Sequence, residues 1–333
     1  LISSFVTENS GRKLAKTEKS IIRDDVSSPQ RILVAVSNPN TIETLMNFAI
    51  LIKNRHSKEP IYPLNVVLGN IDSPEARYDI LVKSRRIEEI ARQAVTEEQT
   101  IQMVSHIDVT VANGINRAIS ELTITKVVLG WNGQTSTSQS IFGGILENVL
   151  PRNNQMMFVV KALHPYGYFK RLVIFVPPNA EFEPGYKKWM RQIAILAKEL
   201  SAKVLVFVSG DTLLQLKQDL DYSKIPATNF VDFSDYENLE GLTNHLNYTD
   251  LLIWISAREN TISHTSYLSS LPKILSKSFI KFSFIIIYPE QHSYQHDTSV
   301  MNLGGLTKSP IQENIERISK ISKNVKKAFK GKS

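Results

Sequence analysis

The chain has 333 residues, 42% hydrophobic and 21% charged, as expected of a soluble globular protein long enough for two domains. No run of 18 apolar residues occurs, so nothing reads as a membrane span, and the absence of cysteine excludes disulfides, Cys-ligated zinc and thiol catalysis. The net charge of +7 is concentrated in residues 306–333, with eight Lys/Arg against two Asp/Glu, which leaves the body near neutral and without a basic face for nucleic acid.

Residues 1–30 come first and read by composition as a leader of mixed charge, with Asp24–Gln30 as the linker that follows it. Within it, Thr7-Glu8, the basic pair Arg12-Lys13 and Leu14-Ala15 resemble the segment that leaves the last membrane helix of monovalent cation/proton antiporters. Leu1 stands where an initiator Met would be. Together these imply a cytoplasmic tail cut from a transporter. The implied location is the cytoplasmic side of the inner (plasma) membrane, with the transporter domain of the same polypeptide as partner.

Residues 31–162 form a first domain in which strands and helices alternate. Arg31–Ser37 is a buried strand, and Thr41–His56 is a helix capped by Asn40 or Thr41. Leu64–Gly69 is the second strand and Pro74–Thr96 a long helix, with Ile80, Ser84, Ile87, Ala91 and Ala94 at helical spacing. Ile101–Val109 is the third strand, Asn113–Leu122 a short helix, Lys126–Leu129 the fourth strand and Met156–Lys161 the fifth. Such alternation implies a parallel sheet with helices on both faces, and ligands in these sheets sit beyond the strand carboxyl ends.

Between the last two strands lies Gly130-Trp131-Asn132-Gly133, then nine residues, then Gly143-Gly144. Strand, glycine-rich loop and helix start are the parts of a phosphate cradle. Neither the Walker spacing nor GxGxxG is present. The spacing resembles the nucleotide loop of the universal stress protein family, and Gly143–Arg152, Met157–Lys161, Arg31–Ser37 and Pro63–Leu68 extend the resemblance over about 130 residues. It implies an α/β fold of two tandem five-stranded parallel-sheet domains, universal stress protein-like and adenine nucleotide alpha hydrolase-like. It also implies a homodimer and a nucleotide site at Ser37, Asn38, Pro39, Val67, Gly130, Gly133, Gly143 and Gly144, with ATP, AMP or a cyclic dinucleotide as candidate ligands. The family's acidic residue after the first strand is replaced by Ser37-Asn38, and its two hydroxyl positions hold Gly144 and Leu146. Three lost hydrogen bonds, each worth roughly 0.5–1.5 kcal/mol, predict weak binding or an empty site.

Residues 163–300 repeat the order. Phe169–Val176, Lys203–Val208, Thr228–Phe233, Asp250–Ile255 and Ser283–Tyr288 read as strands, with helices at Glu183–Leu200, Asp211–Leu220 and Asp235–Leu246. No glycine follows the fourth of these strands until Gly304, so this copy reads as a degenerate site and a pairing domain. Trp131 could stack on a base, but packing against the neighbouring domain is the stronger expectation. Arg258 could meet a phosphate or lie on the surface. His292 and His296, with Glu290 and Asp297, read as a solvated loop, and no metal site is expected. In residues 301–333, Ile311, Ile315, Ile318, Val325 and Phe329 share a helical face with lysines opposite. This face suits either docking on the domain or contact with anionic lipid. No catalytic motif stands out. The expected function is a non-enzymatic regulatory domain of a cation/proton antiporter, with a free-standing tandem stress protein as the alternative.

Overall fold

A computed structural model describes residues 29–36, 38–70, 72–95, 99–131, 144–223, 228–236 and 239–291. The leader and the basic C-terminal segment lie outside the described residues.

Among the described residues, ten strands form one continuous sheet: β1 (Ile32–Val36), β2 (Ile61–Leu68), β3 (Val104–Asp108), β4 (Lys126–Gly130), β5 (Met156–Lys161), β6 (Arg171–Phe175), β7 (Lys203–Val208), β8 (Thr228–Asp232), β9 (Asp250–Ile255) and β10 (Ser283–Tyr288). Their order is β3-β2-β1-β4-β5-β10-β9-β6-β7-β8. Read outward from the middle, each half has the same internal order, so the strand pattern is duplicated. Every described pairing is parallel except β5 with β10, which run antiparallel and place Val160 opposite Ile285. The two five-stranded sheets thus merge edge to edge with opposed strand directions. The central strands read as unbroken apolar runs because both of their faces are covered.

The helices are α1 (Ile42–Ile52), α2 (Pro74–Ala94), α3 (Val111–Glu121), α4 (Ile145–Val149), α5 (Tyr186–Glu199), α6 (Gly210–Ser223) and α7 (Ser266–Ser278). Two apolar layers result, one on each face. The first joins Phe48, Ile87, Trp189 and Ile193, and the second joins Ile119, Val149, Leu271 and Phe279; both draw on the two halves. Capping places the helix starts. Ser73 Oγ accepts from Ala76 N–H ahead of Pro74, and Thr110 Oγ1 accepts from Asn113 N–H at 3.1 Å.

Two expectations need correction, and one helix was not expected. The first helix stops at Ile52, not His56, because Asn54 N–H donates to Gln30 Oε1 and the Asn54 side chain takes His56 N–H, a local turn that competes with the helix. Asp235–Leu246 does not form an α-helix. Leu239–His245 is a 3-10 turn, and Tyr236 is tied to the sheet by donating from its hydroxyl to the Val176 carbonyl at 2.7 Å. Helix α7 has no counterpart among the predicted elements; Pro272 inside it hides the pattern that Leu268, Leu271 and Leu275 otherwise make.

Candidate functional site

The strand order reverses between β1 and β4: from β1 the chain steps outward to β2 and β3, and from β4 it steps the other way to β5. A crevice opens beyond the carboxyl ends at such a point. Here it holds a pocket of about 60 Å³. Ala35 and Val36 of β1, Leu64 and Val66 of β2, Leu129 and Gly130 of β4 and Val159 of β5 form its floor. Val111 and Ile115 of α3 and Ile145 and Leu146 of α4 form its walls. These lining residues are all aliphatic or glycine, so they offer apolar contact and no acid, base or nucleophile.

Two glycines give the site its shape. A β-carbon at Gly114 would fall 2.7 Å from Val66 Cγ1, so only glycine lets α3 come this close to β2. Gly144 adopts φ +74° at the start of α4, a left-handed conformation that turns the chain from the loop into the helix.

The structure separates the predicted site residues. Gly130 lines the pocket and Gly144 precedes the two α4 residues that wall it. Asn38 and Pro39 are exposed in the 3-10 turn after β1, where Asn38 Oδ1 already accepts from Asn40 N–H at 3.0 Å. Val66, not Val67, faces the pocket: side chains alternate along β2, which puts Val67 on the opposite face with Asn65. Ser37, Gly133 and Gly143 lie outside the described residues. Trp131 packs edge-on against Phe284 of β10, with ring centroids 4.8 Å apart, as the neighbouring-domain expectation had it.

The equivalent place in the second half is full. Strand register supplies the correspondence. Ala35 pairs with Leu64 and with Leu129, and in the second half Phe175 pairs with Phe207 and with Trp254. Phe175 and Trp254 stack at 3.8 Å with an interplanar angle of 8°, and Phe207 stacks on Phe175 at 5.0 Å. The missing glycines had marked this half as degenerate. The ring stack is the stronger reason, and its signal was present in the sequence as three aromatics aligned with Ala35, Leu64 and Leu129.

Arg258 stands four residues after Trp254, as Gly133 stands four after Leu129. It does not lie on the open surface. It is 8% exposed and donates to the carbonyls of Leu150 and Asn153, both at 2.5 Å, and of Gln155 at 2.7 Å. Burial pushes its pKa down to about 10, so it stays charged at neutral pH. Nearby, Glu183 accepts from the backbone N–H and hydroxyl of Ser263 and from the Gln291 side chain. Burial alone would raise its pKa, but these donors outweigh burial and hold it below the usual carboxylate value. Glu290, the described member of the histidine-rich loop, pairs with Lys188 at 2.7 Å.

Comparison with known proteins bears on the fold. Residues 29–161 match the universal stress protein family. A universal stress protein from Archaeoglobus fulgidus DSM 4304 has a similar structure, with a TM-score of 0.53 and 13% identity over 79% of this chain and 97% of that one. The cytoplasmic domain of a prokaryotic cation chloride cotransporter is similar at a TM-score of 0.50 and 12% identity, over 78% of this chain and 95% of that one. No curated protein matches the chain by sequence. Residues 29–161 therefore form a universal stress protein-like domain, and the chain as a whole has the α/β fold of that class, with ten strands arranged as two tandem sets of five.

Proposed function

We propose that the chain is a non-enzymatic regulatory module that holds one nucleotide, by its base, in the first-half pocket, while the second half holds none. The observation that carries this reading is the register correspondence. Where the second half stacks Phe175, Phe207 and Trp254, the first half offers Ala35, Leu64 and Leu129 around a pocket. The protein fills one copy of the crevice with planar rings, so the other copy has the depth and the apolar floor for a planar ring brought by a ligand. Gly130, Gly133, Gly143 and Gly144 then leave the backbone free to approach the attached phosphates. The pocket's aliphatic lining suits binding without chemistry.

Within this reading the module is the cytoplasmic part of a cation/proton antiporter, with ATP, AMP or a cyclic dinucleotide adjusting transport. The antiporter-like segment around Thr7-Glu8 and Arg12-Lys13 supports this, and the same fold serves a cotransporter as its cytoplasmic domain. The A. fulgidus structure, which matches over a similar length, keeps a free-standing tandem stress protein as the second reading. The coding sequence upstream of Leu1 separates them. Several 20-residue apolar segments support the antiporter, and a start codon there removes it.

Titration calorimetry with ATP, AMP and cyclic di-AMP tests the site. Ala35→Phe, which copies the second half, is expected to abolish binding while leaving the melting temperature within a few degrees. Retained binding in this variant places the ligand elsewhere.

A further inference from the structure

We propose that Arg258, on the second half, is a positioning residue for the first-half pocket: it holds the far end of the helix whose near end is the pocket wall. This rests on the reading of that pocket as the ligand site. Ile145 and Leu146 wall the pocket, and α4 ends at Val149, five residues or about 8 Å of helix in all. The 3-10 turn Leu150–Arg152 follows directly. Arg258 Nη1 takes the Leu150 and Asn153 carbonyls and Nη2 takes that of Gln155. The Leu150 carbonyl lies at the carboxyl end of α4, where carbonyls lack intrahelical partners, and a cation there also complements the helix dipole.

The clamp is wider than one residue. Gln291 N–H donates to the Asn154 carbonyl at 2.8 Å, again from the second half to the first. Within the first half, Asn153 Nδ2 donates to the Val149 carbonyl and to Asn116 Oδ1 of α3, the other pocket wall. A path of direct hydrogen bonds thus runs from Arg258 to both walls. The position is also telling. Counted along the chain from the paired Leu129 and Trp254, Arg258 corresponds to Gly133, and in the second half that position supports the segment that follows α4. The guanidinium is suited to this. Its planar fork presents Nη1 and Nη2 in a fixed geometry to carbonyls spread from Leu150 to Gln155, which the point charge of a lysine ammonium does not reproduce.

Arg258→Lys in the full chain is the test, with Arg171→Lys as the control, since Arg171 makes a bidentate pair with Asp250 at the amino-terminal ends of β6 and β9, the opposite end of the sheet from Arg258. Amide hydrogen exchange is measured without nucleotide, and ATP affinity by calorimetry. Arg258→Lys is expected to raise exchange across residues 144–155 and to weaken ATP about tenfold, the loss of one or two charged hydrogen bonds. Arg171→Lys should change neither. Exchange at 144–155 equal to wild type overturns the proposal whether or not ATP binds. Raised exchange with unchanged ATP affinity also overturns it, because α4 would then be held but would not matter to the ligand. Absence of ATP binding in the wild type, by contrast, removes the reading of the pocket, and the exchange result alone then decides whether Arg258 holds α4.

Discussion

Ala35 and Phe175 sit at matching points of duplicated strands, and the difference between them decides which half has a cavity. Phe175 is 2% exposed and sandwiched between Phe207 and Trp254, so Phe175→Ala should cost about 3–5 kcal/mol in urea unfolding. A loss below about 1 kcal/mol would mean that the stack collapses to fill the gap. Lys161 gives a second prediction at this scale. It ends β5 with its ammonium 5.2 Å from the centre of the Phe284 ring and donates to the Ile280 carbonyl. Burial lowers its pKa from 10.5 to about 8. The folded state therefore releases this proton earlier than the unfolded state does. Below about pH 8 the buried charge is a cost; between about pH 8 and 10.5 the unfolded chain holds more protons, and stability rises with pH. Lys161→Met should melt higher than wild type at pH 7, with the gap narrowing through that window. A gap independent of pH would show that packing, not charge, sets it.

Among the elements, α3 shows how one residue can set a distance. Gly114→Ala improves helix propensity by about 1 kcal/mol. The added carbon would nevertheless meet both Val66 methyl carbons, at 2.7 and 2.8 Å, and Val66 is a pocket residue. A net destabilisation of about 1–2 kcal/mol and a deformed pocket are expected, read by thermal melting and ligand titration. A stabilised variant would show that α3 can shift freely. Elements were legible in the sequence where one rule governed them. Met156–Val160 and Leu251–Ile255 are unbroken apolar runs, and Ser73-Pro74 announces α2 with a cap and a first-turn proline. They were illegible where two rules conflicted, as with Pro272 inside α7, or where a side chain from far away in sequence decided the outcome, as with Gln30 at the end of α1. The glycine spacing pointed to the right end of the right strand, but the apolar pocket beside it depends on which β2 side chains face inward. That is a matter of register, and it selected Val66 over Val67.

At the scale of the molecule, two five-stranded sets share one sheet and two apolar layers. The duplication could be read from the repeated strand order. The β5–β10 junction could not, because an apolar strand buried on both faces carries no mark of its neighbour's direction. Since both layers cross the junction, residues 29–291 should unfold in one cooperative urea transition, and two resolved transitions would contradict a shared core. The same arrangement makes the two crevices inequivalent: one is open over Ala35, Leu64 and Leu129, and the other is closed by rings. Stoichiometry tests that asymmetry most directly. Calorimetric titration of the full chain with ATP, AMP and cyclic di-AMP should give one weakly held nucleotide per chain, lost in Ala35→Phe and kept in Phe207→Leu. Two nucleotides per chain, or one that survives Ala35→Phe, would contradict the account.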